Sequence, residues 1–334
     1  MDNTSEETYD AVVVGGGAAG LSGALTLVRA RRSVLVVDSG SPRNAPAAQM
    51  HGYLGHDGES PAELLAKGRA EVSGYGGVIR RGTAIAADRL SDGDFRVRCD
   101  DGSTVRARRL LVATGLVDEL PDVPGLAERW GRDVLHCPYC HGWEVGRQRI
   151  AVLADGPLAL HQAQLWHQWT GRTVLLAHGW TPGDEDRELL AALGIEVADG
   201  KVSGLTVEDD RLTGVTLADG AAVACAALVV APSFTARAGV LTSLGLPSVA
   251  VERDGRVLGT CVASDPETGA TALPGVWLAG NVTAPMEKVV GAAAQGVRAA
   301  AALNADLVEE QARRALDHHR AAGTDGTPGP VPGR

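Results

Sequence analysis

A strand, a glycine turn and a helix follow one another without a break near the start of this chain, and that succession restricts the fold more than any other feature. Tyr9 to Val14 is an apolar run, Gly15-Gly16-Gly17-Ala18-Ala19-Gly20 follows, and Leu21, Leu25 and Val28 then recur at helical spacing. The glycines have separate physical tasks in that context. Gly15 permits the tight turn, Gly17 lets the backbone approach a pyrophosphate, and Gly20 allows the helix to pack close on the strand, with the helix N-terminus facing the phosphates. The next strand, Ser33 to Val37, ends in Asp38, which is set to accept a hydrogen bond from a ribose hydroxyl. An acid there favours an unphosphorylated ribose, as in FAD or NAD. Gly15, Gly17, Ala18, Ala19, Gly20, Asp38 and its neighbour Ser39 are therefore expected to bind a dinucleotide.

The chain then repeats itself. Ile150 to Leu153 is again an apolar strand, followed by Ala154-Asp155-Gly156-Pro157-Leu158-Ala159, a predicted helix to Trp169 and the strand Thr173 to Ala177, about 140 residues after the first copy. The unit ends match as well: Leu110-Leu111-Val112-Ala113-Thr114-Gly115 is echoed by Leu228-Val229-Val230-Ala231-Pro232-Ser233. Two Rossmann-like α/β units are expected from this order.

The second copy is chemically altered. Ala154 stands where the first has Gly15, and Asp155 puts a carboxylate where a pyrophosphate would lie. Two unit charges about 4 Å apart cost roughly 4 kcal/mol at an effective dielectric of 20. Pro157 removes one backbone N–H from the helix start. The following strand ends at His178-Gly179-Trp180-Thr181-Pro182, with no arginine before Arg187 to clamp a 2'-phosphate. Strong NADPH binding is not expected of this unit.

Between the copies lies Cys137-Pro138-Tyr139-Cys140-His141. In a C-x-x-C pair one thiolate can attack a disulfide while the other waits to resolve the mixed intermediate. The same spacing is half a zinc site, and with His141 it spells the haem attachment motif. Haem attachment would require export, whereas the opening MDNTSEETYD has no apolar signal core. Zinc needs further ligands, and Cys99, Cys225 and Cys261 are scattered singly. Redox use of the pair is the favoured reading, with His141 as the base and His136 in reserve, because histidine titrates near the pH at which thiols must be deprotonated.

Composition excludes some partners. A formal net charge of -10 argues against nucleic acid and anionic membranes. No apolar run approaches the roughly 20 residues that span a bilayer, and five cysteines in 334 residues do not make a disulfide scaffold. A cytoplasmic location is expected.

With these motifs in this order, residues 8 to 310 resemble the thioredoxin reductase family of flavoproteins. The resemblance rests on Gly15 to Gly20, Ala113-Thr114-Gly115, the dithiol, and Gly275-Val276-Trp277-Leu278-Ala279-Gly280-Asn281 with its following alanine-rich helix. It implies an α/β fold of two Rossmann-like, three-layer ββα domains of the pyridine nucleotide-disulfide oxidoreductase type. An FAD domain would be formed by residues 1–116 and 243–312, and a degenerate NAD(P)H-like domain carrying the C-x-x-C by 117–242. The tail 313–334, rich in Gly and Pro at its end, is expected to be disordered. The family usually has Asp after the second cysteine and Asp where this chain has Asn281. The segment Cys-Pro-Tyr-Cys-His-Gly-Trp-Glu is instead similar to small-molecule dithiol oxidases of the gliotoxin, holomycin and romidepsin pathways. That likeness implies FAD, a small dithiol substrate, dioxygen as acceptor and a homodimer. A substrate thiol would attack Cys137, the more exposed sulfur, and Cys140 would lie against the flavin. Further flavin contacts are expected from Arg43, Asn44, Gln49, Ala113, Thr114, Gly115, Gly280, Asn281, Lys288 and Val289. His51 and His56, in the loop from Pro42 to Gly58, are expected to be solvated. The rival reading is a disulfide reductase fed by NADPH or a protein donor.

Overall fold

The computed structural model describes residues 7–253 and 255–324. Thr8–Val14 is the central strand of a sheet of seven, paired in parallel with Val34–Asp38 on one side and Thr104–Val112 on the other. Its residues alternate between two cores. Ala11 and Val13 face one, Val12 and Val14 the other, which is why the run is apolar at every step. The late strand Val276–Leu278 also pairs in parallel with Thr104–Val112, and so brings a segment more than 160 residues distant back to the glycine turn.

The helices Ala18–Arg29 and Val289–Thr324 pack on one face of this sheet through small residues. A Cβ on Gly296 would collide with the backbone of Ala19, and one on Gly23 would collide with Leu111. The alanine-rich sequence thus serves close approach. Ser60 caps the helix Pro61–Gly74, its hydroxyl accepting from the Glu63 N–H at 3.2 Å, as Ser60-Pro61-Ala62-Glu63 predicts.

The second sheet is wholly parallel, in the order Glu196–Asp199, Thr173–Ala177, Ile150–Ala154, Ala227–Val229, Val134–Leu135. Ile150, Val152 and Ala154 face one core and Ala151 and Leu153 the other, repeating the alternation of the first unit. Trp166 is fully buried on the helix Leu158–Thr170 and serves packing. Between the two sheets, Leu116–Glu119 and Ser233–Ala236 pair antiparallel. These are the two strands by which the chain passes from one unit to the other and back.

One expectation fails. Residues 313–324, read as part of a disordered tail, continue the helix Val289–Thr324. Ion pairs at i,i+4, Glu309 with Arg313 and Glu310 with Arg314, support that extension. Glu310 also binds Arg108 and Arg109 of the central sheet and anchors the helix there. Residues 325–334 lie outside the described residues. Among the described residues no helix is long and apolar enough to cross a membrane.

Candidate active site

The carboxyl ends of the two central sheets open into one cavity of about 1600 Å³. Single-ligand pockets run to about 1000 Å³, so this space is larger than one small ligand needs. Every residue predicted for the site lines it except Gly20. Gly20 serves packing instead, since a Cβ there would strike the Gly15 carbonyl.

The cradle is built as the glycine pattern predicts. Gly15 has φ +104° and sits under the Ala113 backbone, where no side chain fits. The Gly16 N–H donates to Asp38 Oδ1 at 3.0 Å, which fixes the carboxylate at the end of its strand. Gly17, at φ -78°, differs from its neighbours: a Cβ there would meet nothing within 4 Å. Open space above an amide at a helix start is what a pyrophosphate needs. Gly280 N–H donates to Gln295 Oε1 at 2.8 Å. Asn281 spends its Nδ2 on the carbonyls of Ala284, Pro285 and Glu287, folding the turn that presents Lys288 and Val289 and leaving Oδ1 as an acceptor. Thr114 Oγ1 donates to the Arg237 carbonyl at 2.7 Å. Ala18, Ala19, Ser39, Asn44, Gln49 and Gly115 border the same space.

The guanidinium of Arg43 is held by protein partners. Its Nε and Nη2 donate to Asp118 at 2.8 and 2.6 Å, its Nη1 to the Pro285 carbonyl at 3.3 Å, and its guanidinium lies 5.1 Å from the Phe234 ring centroid. The guanidinium is therefore a clamp between loop and crossover strands, while the residue still borders the cavity.

Val134–Leu135 delivers the dithiol to this space. Cys137 precedes the one-turn helix Pro138–His141, and its Sγ lies 2.6 Å from that of Cys140. Both cysteines are half-buried, so exposure does not separate them as expected. Electrostatics does. The Cys140 S–H, the Lys288 ammonium and the N–H groups of Cys140 and Tyr139 bring the Cys137 thiol down to about 7, against the opposing effect of burial. Cys140 is correspondingly raised by its bond to Cys137 and by burial. Lys288 lies on the other unit and rests 4.6 Å from the centroid of the Tyr139 ring, within the dithiol motif itself. Tyr139 in turn meets Trp169 edge-on at 5.3 Å.

Burial lowers the pKa of His141, opposed by the charge of Glu144. His136 is lowered likewise by burial, and its Nδ1 lies 3.1 Å from the Val230 carbonyl, so that nitrogen carries the proton and the ring is fixed. His51, expected in solvent, sits with its side chain only 18% exposed, 3.2 Å from Glu144 Oε1. His56 pairs with Glu59 at 2.7 Å. The sequence reading missed Glu144 and Phe234. Glu144 stands three residues after His141, the one local signal that could have drawn attention to it.

The second glycine turn is filled from outside. Arg256, on the strand Arg256–Val262, reaches Asp155 at 3.3 Å, and a Cβ on Gly156 would collide with its guanidinium. The carboxylate expected to repel a pyrophosphate is thus paired with a cation, and the guanidinium occupies the turn. Arg187 is committed to Asp199 at 2.6 Å and to the Pro182 carbonyl.

An open dinucleotide cradle facing a polarised thiol pair defines an oxidoreductase of the dithiol–disulfide class. The chain belongs to the pyridine nucleotide-disulphide oxidoreductase family, whose model matches residues 9–296. Thioredoxin reductase sirT of Leptosphaeria maculans is 31% identical over 318 residues, 90% of this chain and 95% of sirT. Thioredoxin reductase tcpT of Claviceps purpurea is 39% identical over 184 residues, 53% of this chain and 57% of tcpT, so this match spans little more than half of that relative. Among solved structures, HlmI superposes with a TM-score of 0.87 at 46% identity, covering 98% of this chain and 99% of HlmI. The fold class and the thioredoxin reductase-like resemblance read from the sequence are borne out.

Proposed function

We propose that this protein is an FAD-dependent oxidase that closes a small-molecule dithiol to an intramolecular disulfide, with dioxygen as acceptor and hydrogen peroxide as product. The route it serves would be the biosynthesis of, or self-protection against, a disulfide-bearing natural product. In the same reading residues 1–116 with 243–312 are the FAD domain, 117–242 the dithiol domain, and the protein a cytoplasmic homodimer. The observation that carries the proposal is the Cys137–Cys140 pair opening on the intact cradle while Arg256 fills the second glycine turn.

The residues fit the cofactor: Gly17 offers the open amide for its pyrophosphate, Asp38 a carboxylate for its ribose, and the Lys288–Val289 backbone borders the space for its ring. Bound there, FAD would supply a two-electron acceptor that dioxygen reoxidises. The protein's own part is thiol exchange. With the enzyme pair oxidised, His141, kept neutral by burial, takes a proton from one substrate thiol. The resulting thiolate attacks Cys137 Sγ, the Cys137–Cys140 bond breaks, and Cys140 leaves and is protonated. His141, having passed its first proton to the departing Cys140, takes the proton of the second substrate thiol, and that sulfur attacks the first and expels Cys137 as a thiolate. A thiol of low pKa leaves faster, and Cys137 at about 7 meets that requirement in the product-forming step.

Replacing His141 by Asn should slow dithiol oxidation roughly a hundredfold or more, with flavin content unchanged. Burial lowers the His141 pKa. The wild-type rate should therefore rise through an acid limb below the ordinary histidine value of 6.5, and steady-state pH profiles of the variant should lack that limb. Aerobic turnover of a panel of small dithiols, with peroxide detection and an NADPH-only control, tests the function. Peroxide formed with dithiols and absent with NADPH supports the oxidase.

The second reading, a disulfide reductase, is favoured by the likeness to the thioredoxin reductases sirT and tcpT. It predicts NADPH consumption on addition of oxidised thioredoxin, and that result would replace the first reading.

A further inference from the structure

The thiol exchange leaves a proton to be removed. A dithiol brings two; near pH 7 Cys140 keeps one, whereas Cys137 is substantially a thiolate. One proton must therefore leave a half-buried pocket each time the enzyme pair is reduced. His141 receives it first and needs a path onward.

A chain of titratable groups stands beside it. Glu144 follows His141 on the turn after the dithiol helix, and the charge of Glu144 raises the His141 pKa while a proton on His51 would lower it. His51 comes from the opposite wall, on the loop between the strand Val34–Asp38 and the helix Pro61–Gly74. Its Nε2 is 3.2 Å from Glu144 Oε1 and its Nδ1 3.4 Å from Asp57 Oδ2. Asp57 is held in turn by the Gly52 N–H at 2.8 Å. Asp57 opens the line to solvent with its side chain 66% exposed, while Glu144 is 38% and His51 18% exposed. His51 and His141 border the same cavity as both cysteines. Asp57 on its own loop, with Glu144 and His141 on the dithiol turn, are the titratable groups that face His51.

We propose that His51, bridged between Glu144 and Asp57, is a positioning residue for His141 that carries the proton of thiol exchange from the dithiol pocket to solvent. No bond other than N–H and O–H is made or broken in this transfer: His51 accepts at one ring nitrogen and releases at the other, and Asp57 passes the proton to water. The assignment rests on the dithiol-oxidising reading above.

The test is anaerobic mixing of the flavin-loaded protein with dithiothreitol across the range from about pH 6 to 9. Flavin bleaching is followed, and a rapid alkylating quench counts free Cys137 and Cys140 by mass spectrometry. His51→Gln should slow both signals roughly tenfold at pH 7, less than loss of the base itself. The defect should vanish toward pH 9, where the substrate thiol ionises unaided. Added imidazole should restore His51→Ala, and Glu144→Gln should share the pH-dependent defect. Wild-type rates in His51→Gln at every pH would overturn the proposal. So would an equal slowing at all pH values without imidazole rescue, which marks a merely structural tie. A wild-type protein that dithiothreitol fails to reduce would sink the dithiol reading, and the relay with it.

Discussion

Cys140→Ala is expected to leave a yellow, folded protein whose dithiol turnover has fallen by more than roughly a thousandfold, because a single thiol can form a mixed disulfide and cannot exchange out of it. The same loss is expected of Cys137→Ser. The two positions separate on alkylation. In the reduced wild type, the iodoacetamide reaction of Cys137 should titrate with a midpoint of about 7, and below it the rate should fall about tenfold per pH unit as the thiolate is protonated. The S–H donor of Cys140 is the largest cause of that lowering. Cys140→Ala must therefore move the midpoint upward, toward the ordinary thiol value of 9.0. Lys288→Met should move it the same way by a smaller amount, since its charge acts on Cys137 from the neighbouring unit. A midpoint unchanged in Cys140→Ala would mean that the sulfurs are not coupled as their 2.6 Å separation indicates.

Gly17→Val is expected to fold and to be colourless. Gly17 has an extended conformation open to any residue, and a Cβ there touches no protein atom within 4 Å. The added isopropyl group would occupy the space above the helix amides, where the pyrophosphate approaches. Loss of the close approach should weaken flavin binding by a factor of roughly a hundred, equivalent to about 3 kcal/mol. Flavin bound only to the native state also stabilises it by mass action. The proper comparison is thus deflavinated wild type, whose melting temperature Gly17→Val should match. Flavin retained in the variant at wild-type stoichiometry would remove the cradle from the account.

The features that were legible in the sequence are those written as local patterns. The turn at Gly15, the acid at Asp38 and the repeated strand, turn and helix each lie within a few dozen residues, and spacing alone specifies them. The dithiol is likewise contiguous. The late return of Val276–Leu278 to the first sheet came from resemblance, since no local signal names its partner strand. Side chains that pair across the fold were not legible. Position alone does not show that Asp118 and the Pro285 carbonyl hold the Arg43 guanidinium from 75 and 242 residues away. Asp155 reads as a bare carboxylate until Arg256 is seen to reach it across 101 residues. His51 looked like a loop histidine because Glu144, on the opposite wall, is close only once the two units have packed. The helix beyond residue 313 was obscured by the Gly and Pro of the final residues, although its Glu–Arg pairs at i,i+4 were present to be read.

These long-range pairings also explain how two similar units come to differ at their turns. Both begin with a parallel strand feeding a turn and a helix. In the first, the turn is open at Gly17 and its acid is fixed by Gly16; in the second, Arg256 and Asp155 close the turn on each other. In the second unit the strand Val134–Leu135 leads at its carboxyl end to the thiol pair, which borders the cavity shared with the first.

The direction of electron flow is tested most directly by mixing the oxidised, flavin-loaded protein under anaerobic conditions with a small dithiol or with NADPH and following the flavin absorbance. The account predicts rapid bleaching by the dithiol, return of colour with one peroxide per flavin on admission of air, and no bleaching by NADPH on that timescale. Fast bleaching by NADPH, with slow or no bleaching by dithiols, would contradict it.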